Sequence, residues 1–338
     1  MDDRDAAYVS TGHLPPAERV AQAVALAHER FQGHAEGRNS DVYPALQRTP
    51  PDLFGICVAG TSGNLYEAGD ALYEFTIMSV SKPFVFALVV QAIGAEAARE
   101  KIGVNATGMA FNALAAVEAS GDGRTNPMVN AGAIATTSLA PGATEAARWD
   151  YIHDGLSRFA GRALEVNEEV YRCASDTNFR NQGMARLLQS FGRIYSDPSE
   201  AVDLYTRQCA LNVTARDLAV MGATLADGGV NPVTRERVIG AESCRYALAV
   251  MATAGLYENS GDWLYTIGLP GKSGIGGGIV TVSPGKGGLG TFAPPLDAAG
   301  NSVKGQLAAA FLADRLGMNL FLSKPELQDR AGPRPLPT

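Results

Sequence analysis

Histidine is scarce in this chain of 338 residues; His13, His28, His34 and His153 are all it has. None falls into H-x-x-H or H-E-x-x-H spacing, and three lie in an N-terminal stretch that reads as surface helix and loop. That removes the common zinc frames and leaves Ser-His-Asp chemistry without a well-placed base. Cysteine is as thin. Cys57, Cys173, Cys209 and Cys244 lie far apart with no C-x-x-C spacing, so neither a zinc site nor a disulfide framework is indicated, and most of them read as small core residues. Charged residues make up only 19%, with a net charge of −7 and no basic block or aromatic-basic stripe, which argues against a nucleic-acid partner. The longest apolar run, Phe84 to Val90, is too short to cross a bilayer, and the acidic opening Met-Asp-Asp-Arg-Asp has no apolar signal core. These features predict a cytoplasmic protein with no membrane partner.

What is present is a 46% hydrophobic chain, long enough for one large or two intermingled domains. Pro15-Pro16 opens an amphipathic helix over residues 17–33, with Val20, Val24, Ala27 and Phe31 on one face and a glycine stop. Residues 54–59 and 65–68 read as a hairpin around Thr61-Ser-Gly-Asn64. From Lys82 to about Gly240 the patterns are mostly helical. Residues 244–254 read as a further helix, residues 263–269, 278–282 and 289–292 as short strands with glycine-rich turns, and residues 302–316 as a closing helix. Strands near both ends with helices between predict an α+β fold, a mainly antiparallel sheet flanked by terminal helices with an inserted helical lobe. The expected division is an N-terminal extension over 1–15, a discontinuous sheet lobe from 16–82 and 241–322, a helical lobe over 83–240, and a loose, proline-rich C-terminal tail over 323–338.

The chain is organised around Ser79-Val80-Ser81-Lys82. Residues 73–78 are β-branched and aromatic enough to be extended, whereas Pro83 and the apolar residues after it suit the first turns of a buried helix. Residues three apart share a helix face, so Lys82 is expected to reach back to the Ser79 hydroxyl, with backbone N–H groups free beside it. A serine needs a base, and a lysine serves as one if burial lowers its pKa. By itself the tetrad reads more simply as an N-cap serine with an exposed lysine.

Two other stretches are unusual for connectors. Asn126-Pro-Met-Val-Asn-Ala-Gly-Ala-Ile134 sets Asn130 ahead of small residues, where it reads equally as a helix cap or as an amide facing a cavity. Pro270-Gly-Lys-Ser-Gly-Ile-Gly-Gly-Gly-Ile279 puts Lys272 before glycines that would let a strand's backbone approach a ligand. The lysine precedes the glycines, so this is not a phosphate-binding loop.

Ser79-x-x-Lys82, Asn130 and Lys272-Ser273-Gly274 loosely resemble the signature of penicillin-recognising serine enzymes. The match to the serine-dependent glutaminases, which share the β-lactamase/transpeptidase-like fold, is closer. It runs through the three stretches above and through Arg180-Asn181, Leu204-Tyr205-x-x-Gln-Cys209, Ala254-Gly-Leu-Tyr257-x-x-Ser-Gly261 and Leu296-Asp-x-x-Gly-Asn-Ser-Val303. The resemblance implies hydrolysis of L-glutamine to glutamate and ammonia without metal or cofactor, on a small-molecule amide, by a homodimer or homotetramer. It implies that Ser79 is the nucleophile, Lys82 its base and Tyr257 a proton-transfer partner. Asn130, Asn181 and Tyr205 would line the substrate pocket, with the N–H groups of Ser79 and Ile275 as oxyanion hole. Lys272 would support the site. Two positions depart from the pattern. Where the family carries a glutamate for the substrate's α-ammonium, seven residues before Asn181, this chain has Ala174, and Asp176, two residues on, would substitute only with a shift of the local backbone. Asp-Tyr-Ile-Pro becomes Asp41-Val42-Tyr43-Pro44, which moves a pocket tyrosine by one place. An amidohydrolase acting on another γ-amide, or a non-catalytic amino-acid-binding homologue, are the alternatives.

Overall fold

The computed structural model describes residues 12–322. The C-terminal tail expected over 323–338, and all but residues 12–15 of the N-terminal extension, lie outside the described residues. Among the described residues there are seven strands: β1 (Gly55–Gly60), β2 (Leu65–Gly69), β3 (Phe75–Thr76), β4 (Asn212–Val213), β5 (Gly271–Ser273), β6 (Gly278–Ser283) and β7 (Gly287–Phe292). Five of them form one sheet in the order β2-β1-β7-β6-β5, and every neighbouring pair is antiparallel. The hairpin β1–β2 comes from the start of the chain and β5 to β7 from its end, so the sheet closes only when distant segments meet.

Strand alternation sets the two faces of this sheet. Ile56 and Val58 of β1, Leu289 of β7 and Ile279 of β6 pack with Val20, Val24 and Ala27 of the helix Ala17–Phe31 and with Ala308, Ala309 and Leu312 of the helix Val303–Arg315. The terminal helices therefore share one face. On the other face Cys57 and Ala59 meet Ala219, Val220 and Ala223 of the helix Ala215–Ala226. That helix, which the sequence places with the helical lobe, lies flat on the sheet because β7 offers it glycine. A Cβ on Gly288 would stand 2.3 Å from Ala219 O, and one on Gly290 would stand 2.0 Å from Ala215 O.

The stretch over residues 263–269 is a helix, not the expected strand. Ser260–Ile267 is helical and ends at Gly268, which takes φ +69 and donates its N–H to Leu264 O. Trp263 and Ile267 are buried from this helix with Leu269, and Trp263 Nε1 donates to Leu269 O at 2.8 Å. The β-prone composition that suggested a strand supplies instead the apolar face of a short helix. The region from Lys82 to Gly240 also contains β4, which pairs with β3 across Phe75–Val213 and Thr76–Asn212. This two-residue ladder sits just before Ser79 and fixes the height at which the chain enters its helix.

Candidate active site

After β3, Ile77 donates its N–H to Leu211 O, a short 3-10 turn follows over Met78–Val80, and the helix Ser81–Ile93 begins. Ser79 therefore stands at the junction expected from the sequence. Residues 81–90 are all buried, as the apolar run predicts. Met78 adopts φ +47, a left-handed conformation that costs a residue with a Cβ on the order of 1–3 kcal/mol and recurs at functional sites. Across from it the glycine run comes close. A Cβ on Gly274 would lie 3.3 Å from Ser79 N, one on Gly276 would lie 2.7 Å from Thr76 O, and one on Gly278 would strike the Phe75 ring at 2.6 Å. The glycines expected to admit a ligand thus admit the segment 75–80 itself. Among the described residues, neither Ser79 N nor Ile275 N donates to a protein acceptor.

Lys82 is 1% exposed, and burial pushes its ammonium down to about 7. Its Nζ donates to Asn130 Oδ1 at 2.8 Å and to Met128 O at 3.2 Å. A neutral amine has two N–H bonds, so both are satisfied and its lone pair remains available as a base. The expected direct bond from Nζ to the Ser79 hydroxyl is not among the hydrogen bonds of the described residues. Asn130 and Met128, far off in sequence, hold the amine instead.

Asn130 is the first residue of the helix Asn130–Thr137 and not its cap, which is Val129. Its Oδ1 also accepts from Tyr205 Oη at 3.1 Å, and its Nδ2 donates to Asn181 Oδ1 at 3.1 Å. Gly132 makes this possible, since a Cβ there would lie 1.9 Å from Asn126 O. One amide therefore links Lys82, Tyr205 and Asn181. Burial raises the Tyr205 phenol well above its ordinary value and keeps it a donor.

Tyr257 takes φ +56, a second strained residue at the site, and donates its hydroxyl to Ser273 O at 3.0 Å. Burial raises its pKa while Ser79 pulls it the other way, so the two hydroxyls influence each other although the phenol's proton is held by Ser273 O. Lys272 is fully buried, donates to Gly255 O at 2.9 Å and Ser273 O at 2.6 Å, and lies 4.3 Å above the Tyr257 ring. Burial first, and the nearby Lys82 second, depress its pKa.

Ser79, Asn130, Asn181, Tyr205, Ile275 and Tyr43 line one pocket of about 200 Å³. Ala174 lines it too, with Val170 one turn away on the helix Glu168–Thr177. Asp176 of the same helix is exposed and does not line it, because two residues turn a helix by roughly 200°. Tyr43 reaches the wall despite its shift, and burial raises its phenol to about 12. Phe111 and Asn112 also line the pocket; they lie in a stretch without periodicity, and no sequence signal points to them. Arg180 lines it as well and donates from Nε to Asn112 O at 2.7 Å. Among the described residues no cluster of three or more His, Cys, Asp or Glu side chains is placed to hold a metal, and no helix is long and apolar enough to cross a membrane.

A five-stranded antiparallel sheet with the terminal helices on one face, and a buried Ser-x-x-Lys at the entry to a central helix, defines an α+β fold of the β-lactamase-like kind. The chain belongs to the glutaminase family, whose model matches residues 37–321. A Yersinia pestis protein named Glutaminase 2 is 71% identical over 318 residues, 94% of each chain. A Brucella canis glutaminase is 51% identical over 288 residues, 85% of this chain and 91% of its own. Among solved structures, one described as probable glutaminase ybaS superposes with a TM-score of 0.90 at 44% identity, covering 91% of this chain and all of the other. A structure of Mglu in its glutamate form superposes with a TM-score of 0.85 at 38% identity, covering 90% of this chain and 70% of that one.

Proposed function

We propose that this amidohydrolase is a glutaminase that converts L-glutamine to L-glutamate and ammonia through an acyl-enzyme on Ser79. The observation that carries the reading is Lys82, an amine held near neutrality by burial, with both of its N–H bonds engaged, three residues from a serine that opens onto a pocket.

In this reading the Lys82 lone pair takes the Ser79 proton as Oγ attacks the γ-carboxamide carbon. The free N–H groups of Ser79 and Ile275 stabilise the oxyanion, an effect commonly worth about 3–4 kcal/mol for one donor. The proton passes by way of Tyr257 to the departing nitrogen, ammonia leaves, and water cleaves the ester to release the γ-carboxylate. Asn130, Asn181, Tyr205 and Tyr43 hold the acyl part of the substrate, and Lys272 steadies Tyr257 from behind.

A second reading, hydrolysis of a different γ-amide, is favoured by Ala174, whose methyl stands in the wall while Asp176 faces solvent. We place the reaction in the cytoplasm, where four free cysteines stay reduced, and in a homodimer or homotetramer, which sedimentation would measure. The deciding experiment is ammonia release from millimolar L-glutamine by the protein and by its Ser79→Ala variant. Release that vanishes in the variant supports the reading; none from either protein, with release from another amide in a panel, moves it to the second.

A further inference from the structure

Ser79 and Tyr257 open onto different cavities. Ser79 lines the substrate pocket, and Tyr257 does not; Tyr257 lines a second cavity of about 220 Å³, together with Phe111, Met128, Thr253, Glu258 and Gly261. Phe111 belongs to both walls, its ring centroid 4.6 Å from that of Tyr257. Lys82 touches the second wall as well, through the bond from Nζ to Met128 O. The acylation machinery therefore stands on the partition between two spaces. Thr253, Glu258 and Gly261 are exposed, so the second space has its own mouth.

An amide attacked at its carbonyl carbon has two parts that go different ways. The acyl part occupies the pocket on the Ser79 side. The nitrogen must face the group that gives it a proton, and under the acyl-enzyme reading above, on which this inference rests, that group is Tyr257. The second cavity, which Tyr257 and Phe111 both line, is the space beside that proton donor.

We propose that this second cavity is a leaving-group site, which passes ammonia from a primary γ-amide and receives the small alkyl group of a secondary one. The protein then also hydrolyses γ-N-alkyl amides of glutamate, such as the γ-ethylamide. The balance is that of the primary amide: a new ester bond joins Ser79 Oγ to the acyl carbon, and the C–N bond breaks with its electron pair on nitrogen. The proton taken from Ser79 by Lys82 reaches that nitrogen through Tyr257, ethylamine departs, and water cleaves the ester. The Glu258 carboxylate at the rim suits the alkylammonium that forms outside.

Gly261 offers a way to close this cavity. A Cβ there meets nothing within 4 Å, and the residue lies in the first turn of a helix. The experiment compares L-glutamine with L-glutamate γ-ethylamide, reading ammonia and ethylamine, for the unaltered protein, Gly261→Phe and Thr253→Trp. The unaltered protein should release ethylamine with kcat/KM within about 100-fold of that for L-glutamine, and each variant should lower the ethylamide value at least about 10-fold more than the L-glutamine value, since ammonia needs little room. Ammonia without ethylamine from the unaltered protein would overturn the proposal, as would equal losses on both substrates in the variants. Should one variant misfold, the other and the unaltered protein still decide. No product from either substrate would mean that the acyl-enzyme reading itself had failed.

Discussion

Lys82 Nζ lies 2.8 Å from Asn130 Oδ1, and that same oxygen accepts the Tyr205 hydroxyl at 3.1 Å. Asn130 thereby holds a buried amine without giving it a counter-charge. A carboxylate in its place would hold the amine as ammonium, and an ammonium is no base. The neutral amide is what lets burial set the lysine's state.

Activity should therefore follow the protonation of Lys82. The amine is a base only when neutral, so kcat/KM rises with pH through an apparent midpoint near the value of about 7 that burial imposes. Initial rates from pH 5 to 9 check this. The same burial makes the folded chain bind fewer protons than the unfolded one between about 7 and the ordinary lysine value of 10.5, so folding stability contributed by this group rises with pH across that window.

Asn130→Asp tests the role of the amide directly. A carboxylate within hydrogen-bond reach of Nζ raises the lysine's pKa, and the activity limb should move up by about 1–3 pH units while the fold is kept. A limb that stays in place, in a variant that is still folded and active, would show that Lys82 does not set it.

Lys82→Ala should reduce kcat by about 10²–10⁴-fold, the usual range for a lost general base. Circular dichroism should show native secondary structure, because the substitution removes a buried amine that has carbonyl partners and no carboxylate. Near-normal turnover would end the case for a Ser-Lys pair.

The close approach of the helix Ala215–Ala226 to β7 predicts a contrast between glycines. Gly290→Ala puts a Cβ 2.0 Å from Ala215 O and should destabilise by about 1–3 kcal/mol or more. Gly183→Ala, inside the helix Phe179–Ser190 with nothing within 4 Å of its Cβ, should stabilise by roughly 0.5–1 kcal/mol. Thermal denaturation of the two variants beside the parent measures both signs.

Local signals specify structure where the physics is local. The helix after Pro16, the hairpin around residues 61–64 and the serine at a loop-to-helix junction all follow from periodicity and from proline and glycine at element ends. Residues 263–269 misled because β-branched and aromatic side chains report a surface to be packed and not which element presents it. Asp176 lies off the pocket wall because the helix that puts Ala174 on the pocket turns Asp176 to solvent, a rotation that a count of residues along the chain does not convey.

Sequence alone determined the chemistry available to this protein: a serine and a lysine one turn apart at the head of an apolar helix, in the ordered blocks that mark a glutaminase. Tertiary structure decided whether that lysine can act as a base. Its pKa depends on how completely water is excluded and on what sits beside Nζ, and what sits there is Met128 O, from the turn before another helix, and Asn130, from that helix's first residue. It also decided that the glycine run packs against residues 75–80, and that Ser79 and Tyr257 face separate cavities. Spacing along a chain constrains neighbours on one element, whereas desolvation and cavity walls arise from segments far apart in sequence, which meet only when the core closes.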